Sequence, residues 1–93
     1  MMRVHYSGGS FLAATDVATT VLDYSAALAN AERAQLVGVP AIDVDGNPEV
    51  IQVLLGPASQ LYAEPVPHSG ETDELEFVQR TRSAMELLEQ MAD

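Results

Sequence analysis

The sequence predicts an α+β fold: a two-layer sandwich in which two helices lie on one face of an antiparallel or mixed sheet of four or five strands. Two observations support this prediction. Residues 35–64 contain three short apolar segments separated by the turn signals Asp45-Gly46-Asn47-Pro48 and Gly56-Pro57-Ala58-Ser59. On both sides of this region, apolar residues recur at the spacing of a helix. The length of 93 residues fits a single domain over residues 1–93.

The N-terminal third predicts a short hairpin followed by a helix. Arg3–Tyr6 is a strand candidate that runs into Gly8-Gly9, and residues 11–13 can return from that turn as a second arm. A helix is then expected over residues 16–32, because Thr15-Asp16 offers side chains that cap free backbone N–H groups. The apolar stripe of this helix consists of Val17, Val21, Tyr24 and Leu28.

The central segments predict strands near residues 36–44, 49–55 and 60–64. The turn signals between them are typical of hairpins, because Gly accepts a positive φ and Pro fixes φ. Pro40 has no N–H to donate to a neighbouring strand, which favours an edge position in the sheet for the first of these strands.

The strand near residues 49–55 is apolar on both of its sides. Alternate side chains of a strand face opposite sides of the sheet, and Val50 and Leu54 add apolar surface to the second side. A sheet with one solvated face alternates more cleanly between apolar and polar residues. Because two helices are too few to cover both faces, we expect a second copy of the chain to cover one of them.

A proline-rich linker over residues 65–70 precedes the second predicted helix, residues 72–91. Thr72 or Asp73 can cap this helix. Its apolar face consists of Phe77, Val78, Thr81, Ala84, Met85, Leu88 and Met91. The residues expected in the core of the whole domain are Val4, Val17, Val21, Leu28, Ile51, Val53, Leu55, Leu61, Val78, Met85 and Leu88.

These features predict a non-enzymatic protein that homodimerises and acts through protein contacts. The expected interface consists of Val50, Leu54, Tyr62 and Leu87. Leu87 belongs to it because it lies at the margin of the second helix's apolar face, which a partner can share. In a variant of this hypothesis, the acidic surface docks onto a basic protein.

The formal charge of −10 argues against a nucleic-acid partner, because phosphate binding depends on Lys and Arg. The chain has no lysine, and on the second helix Arg80 is spaced to pair with Glu76 and Arg82 with Glu86. It also has no cysteine, which excludes disulfides, thiol catalysis and thiolate metal sites. With no signal-peptide pattern and no membrane-length apolar run, we expect a cytoplasmic protein with no membrane partner. The alanine-rich, lysine-free composition is typical of a GC-rich bacterial genome.

An alternative function is binding of a small ligand or divalent metal at the acidic turn 43–49 or near His68. The candidate oxygen ligands in the turn are Asp43, Asp45, Asn47 and Glu49. The turn departs from the helix–loop–helix calcium motif, because Gly46 is its fourth residue instead of its sixth and Leu54 replaces the bidentate glutamate. A plain Asp-Gly hairpin turn explains the same residues.

The sequence contains no coherent set of catalytic residues and predicts no cofactor. The two histidines are His5, on the first strand, and His68, in the linker. Ser–His–acid chemistry requires one of them to approach Ser10 or Ser59. The Gly8-Gly9 segment lacks the lysine and the spacing of a phosphate-binding loop.

Overall fold

The computed structural model describes residues 1–58, 60–67 and 74–91. Within these ranges the chain forms five strands and two helices in the order ββαβββα, which confirms the predicted two-layer α+β sandwich with its helices on one face of the sheet. The elements are β1 (Met2–Tyr6), β2 (Gly9–Ala13), α1 (Thr15–Asn30), β3 (Gln35–Ile42), β4 (Pro48–Leu55), β5 (Tyr62–Pro65) and α2 (Leu75–Met91). The predicted capping residues of α2 and the Met91 side chain lie outside the described part of the chain.

The five strands form one antiparallel sheet in the order β4-β3-β2-β1-β5. Two hairpins, β1–β2 and β3–β4, are joined at a single register pair, Leu12 with Ile42. β5 then pairs with β1 at the opposite edge from β4. The hairpin predicted at the Gly56-Pro57 turn signal is therefore wrong, because β4 and β5 lie at opposite edges of the sheet.

The predicted edge position of the strand that contains Pro40 is wrong, because β3 lies between β4 and β2. Pro40 pairs with Val50 of β4, whereas β2 has only one register partner in β3, Ile42. Apart from Ile42, the edge of β3 that faces β2 therefore makes no register pair with a strand. A residue without an N–H, such as Pro40, consequently costs little stability on this edge.

The core is one continuous cluster between the helices and the sheet. The predicted core residues that are buried are Val4, Val17, Val21, Leu28, Val53, Leu55, Met85 and Leu88. The remaining three, which are partly buried against the cluster, are Ile51, Leu61 and Val78. The expected core left out Phe11, Val39 and Phe77, which are buried in the same cluster, although Phe77 was placed on the apolar face of the second helix.

α1 lies at the centre of this packing, since it contacts β1, β3, β4, β5 and α2. The expected side-chain cap at its start is absent: Ala14 is the N-cap residue and makes no side-chain hydrogen bond. The Thr15 hydroxyl instead accepts a hydrogen bond of 3.0 Å from the N-terminal amine of Met1. The apolar stripe of α1, and not a side-chain cap, therefore determines where the helix lies and which of its faces is buried.

α2 packs against α1 and is held there by apolar contacts and one ion pair between the helices. Arg82 Nη1 donates to Asp23 Oδ2 of α1 at 2.8 Å, where the sequence predicted a pair with Glu86. The predicted pair of Arg80 with Glu76 is confirmed, with the closest nitrogen and oxygen 3.8 Å apart. Both pairs are solvent-exposed, so each adds at most about 1 kcal/mol to stability.

α1 ends in a Schellman motif with a glutamate at its left-handed position. The Arg33 N–H donates to the Leu28 carbonyl at 2.9 Å, and the Glu32 N–H donates to the Ala29 carbonyl at 3.1 Å. Glu32 has a φ of 54°, in the left-handed region that favours glycine. Its negative charge also lies at the negative end of the helix dipole, which is the unfavourable arrangement.

Substitution Glu32→Gly is expected to stabilise the protein by about 0.5–1 kcal/mol. It relieves left-handed strain of about 1–2 kcal/mol and removes the unfavourable charge, while the freer glycine backbone costs about 0.5–1 kcal/mol. Urea unfolding followed by circular dichroism measures the change. The matched control is Glu32→Ala, which removes the charge and keeps the strain. An equal gain from both variants would show that backbone strain contributes nothing.

Tyr24 anchors the inner face of α1 to the start of β3. Its side chain is buried, and its hydroxyl donates a hydrogen bond to Gln35 Oε1. Burial raises the pKa of Tyr24 above its ordinary value of 10.0, because the phenolate loses hydration. The folded state therefore holds the Tyr24 proton more tightly than the unfolded state does.

This difference makes stability depend on pH in the alkaline range. Below pH 10.0 both states are protonated and the contribution of Tyr24 is fully present; above it, the unfolded state loses the proton first and folding weakens. We expect Tyr24→Phe to cost about 1 kcal/mol at neutral pH through the lost hydrogen bond and to lose less stability than the wild type at higher pH. Urea midpoints of both proteins from pH 8 to 11 check this. Parallel loss in the two proteins would contradict the assignment.

Candidate functional site

The face of the sheet turned away from the helices, here called the outer face, is the candidate site. Its residues are the register partners that alternate with the buried ones: on β3 and β4 these are Leu36, Gly38, Pro40, Ile42, Pro48, Val50, Gln52 and Leu54. On β1, β2 and β5 they are Arg3, His5, Ser10, Leu12, Tyr62 and Glu64. The face thus has an uncharged half, on β3–β4, and a polar half, on β1–β5.

The uncharged half presents large apolar side chains to solvent. Leu36, Val50 and Leu54 are 61%, 66% and 63% exposed. Leu36 is directly opposite Leu54 in the β3–β4 ladder, so their side chains form one cross-strand pair. At Gly38, an added Cβ would lie 3.2 Å from Val50 Cγ1 and 3.3 Å from Gln52 Nε2. Because Gly38 has no side chain, the side chains of Val50 and Gln52 can lie across β3, and this part of the surface is flat.

The polar half is organised around His5. Its Nε2 lies 2.7 Å from Glu64 Oε1, and its ring stacks on Tyr62 with the centroids 4.4 Å apart and the planes 9° from parallel. Both partners lie on β5, and Tyr62 is the register partner of His5. The stack and the hydrogen bond hold the short edge strand β5 against β1. This arrangement explains the polar half as a means of fixing an edge strand.

The four predicted interface residues are all exposed, but they do not form one patch. Val50 and Leu54 lie together on the uncharged half of the outer face, whereas Tyr62 lies on β5 at the opposite edge of the sheet. Leu87, which is 60% exposed, lies on α2 in the helix layer. Leu36, which was not among the predicted interface residues, is exposed and pairs with Leu54 near one end of the β3–β4 ladder.

The predicted metal-binding turn is a hairpin loop that is closed by its first aspartate. Asp43 Oδ1 accepts hydrogen bonds from the backbone N–H groups of Asp45 and Asn47, each 2.9 Å long. The Asp43 N–H donates to the Asn47 carbonyl, and Gly46 adopts a φ of 84°. The hairpin prediction is confirmed. In residues 1–58, 60–67 and 74–91, no three His, Asp or Glu side chains are grouped so that they could hold a metal ion.

Of the residues considered for Ser–His–acid chemistry, His5 and Ser10 are described. They are register partners across the β1–β2 hairpin, and the hydrogen bond of His5 goes to Glu64. His68 and Ser59 lie outside the described residues.

Comparisons of the chain with protein-family models, curated proteins and solved structures find no match. Neither of the described helices is both long and apolar enough to cross a membrane. Functional inference for this chain therefore depends on the geometry and charge of its own surfaces.

Proposed function

We propose that the protein functions as a homodimer that forms through the uncharged half of the outer face and acts through protein contacts. The observation that carries this proposal is the exposed apolar surface of Leu36, Val50 and Leu54 on a sheet whose two helices both lie on the other face. Burying such surface is favourable by about 25 cal/mol for each Å² removed from water.

The charge distribution favours a second copy of the chain as the partner. Two molecules that each carry a formal charge of −10 repel one another, and this repulsion opposes association least where the contact surface itself is uncharged. None of the eight outer-face residues of β3 and β4 is charged. A basic partner would be attracted instead to the acidic parts of the surface. Contact between identical patches about a two-fold axis is also the commonest form of self-association.

The size of the patch sets the expected affinity. Two adjacent eight-residue strands measure about 26 Å by 10 Å, a footprint on the order of 250 Å². A stable complex typically buries about 800 Å² on each partner. The dimer is therefore expected to be weak and dependent on protein concentration. Added salt should strengthen it, because salt screens the repulsion between the two acidic chains.

Substitution Val50→Glu is expected to abolish the dimer, since it places a charge at the centre of the contact in both copies at once. Sedimentation velocity across a range of protein concentrations, at low and high salt, measures the association. The matched control is Leu75→Glu, which introduces the same charge at a residue of similar exposure (63%) on α2. Thermal melts verify that both variants are folded.

Three results would contradict the proposed dimer. The first is a wild-type protein that remains monomeric at the highest concentration and salt. The second is equal association of the Val50→Glu and Leu75→Glu variants. The third is an association that salt weakens, which would point to charge attraction and to the acidic surface as the contact.

A further inference from the structure

A cavity of about 410 Å³ lies where the β1–β2 hairpin meets the end of the β3–β4 hairpin. This volume is within the range of about 300–1,000 Å³ that is usual for small-molecule sites. Its apolar lining comes from Phe11, Leu12, Ile42 and Ile51. An apolar lining with a few charged groups is the usual composition of a ligand site.

Charged groups of opposite sign line the cavity from its two sides. Arg3 contributes from β1, whereas Asp43 and Glu49 contribute from β3–β4. Arg3, Leu12 and Ile42 form one row across three neighbouring strands. Two strand spacings separate the backbone of Arg3 from that of Ile42 by about 10 Å.

Arg3 is the most informative residue of the cavity. Its side chain is half-buried, and its cross-strand neighbour Glu64 binds His5 instead, at 2.7 Å. Among the described parts of the chain, no carboxylate forms an ion pair with Arg3. The sequence contains 14 acidic residues and four basic ones, so a half-buried arginine without an acidic partner is unexpected. Guanidinium groups bind carboxylates well through paired hydrogen bonds.

The two carboxylates on the opposite side are held in different ways. Asp43 is fixed by the two backbone hydrogen bonds that its Oδ1 accepts. Glu49 is exposed at the start of β4 and is free to turn toward a ligand. Both favour a positively charged group on that side of the cavity.

We infer that this cavity binds a small zwitterion with an apolar side chain, of the class of branched-chain amino acids. The ligand carboxylate contacts Arg3, its ammonium group faces Asp43 and Glu49, and its side chain lies on Leu12 and Ile42. Each part of the ligand thus meets a group of matching chemistry. No step of this inference uses a second copy of the chain, although the cavity shares Ile42 with the uncharged half of the outer face.

The test uses the full chain and L-leucine at millimolar concentration, with binding followed by amide chemical shifts in NMR spectra. Two analogues each lack one charge: 4-methylpentanoate has no ammonium group, and 3-methylbutylamine has no carboxylate. L-leucine is expected to shift amides of residues 11–12 and 42–51. Each analogue is expected to bind at least about tenfold more weakly, a difference of about 1.4 kcal/mol.

Substitutions test which charged group of the ligand is bound on each side of the cavity. Arg3→Gln is expected to weaken L-leucine binding about tenfold and to leave 3-methylbutylamine unaffected, because the amine has no group for Arg3. Glu49→Gln is expected to weaken L-leucine and 3-methylbutylamine alike, and to spare 4-methylpentanoate. The control is Arg80→Gln, on the exposed side of α2, which removes a positive charge away from the cavity.

The inference is overturned if millimolar L-leucine shifts no amide in these segments, or if Arg3→Gln and the wild type bind it equally. Equal binding of L-leucine and 4-methylpentanoate would also overturn it, since the acidic side would then have no role. Failure here leaves the sedimentation behaviour of the protein unchanged, so the outcome is separable from that of the proposed dimer.

Discussion

The fold depends on the burial of one face of α1. Val17, Val21 and Leu28 are almost completely removed from solvent, and the helix contacts four of the five strands as well as α2. α2 packs on α1 and adds Phe77 to the same core. Because both helices pack on this one side of the sheet, the surface of the opposite side is formed by strand residues. The architecture therefore creates the outer face as a direct consequence of how the core is built.

The proposed dimer rests on the composition of that face. Its β1–β5 half is polar, and the His5 contacts there stabilise a short edge strand. Its β3–β4 half is uncharged and apolar in a chain of formal charge −10. Isolated exposed apolar residues need no explanation, whereas several on one face of a sheet are the observation on which the proposed contact rests. Leu36 and Leu54 form one cross-strand pair of this group, and Val50 lies two outer-face pairs along the ladder, opposite Pro40.

The sequence predicts features that depend on neighbouring residues, and it fails where distant segments meet. The Asp45-Gly46 hairpin and the stripe of α1 follow from turn chemistry and helical spacing. The strand order, by contrast, depends on which distant segments pair, so the internal position of Pro40 could not be foreseen. The same is true of Arg82, whose partner Asp23 lies 59 residues away. Val50 and Leu54 were identified from alternation within one strand, whereas Leu36 required the register between two strands.

The most direct test of this account is a dilution series of amide chemical shifts for the wild-type protein, which reports where one molecule touches another. The account predicts concentration-dependent shifts confined to residues 36–40 and 50–54, on the uncharged half of the outer face. Shifts that map to α1 and α2 would contradict it, because the contact would then lie on the helix layer. Spectra that do not change with concentration would contradict self-association itself.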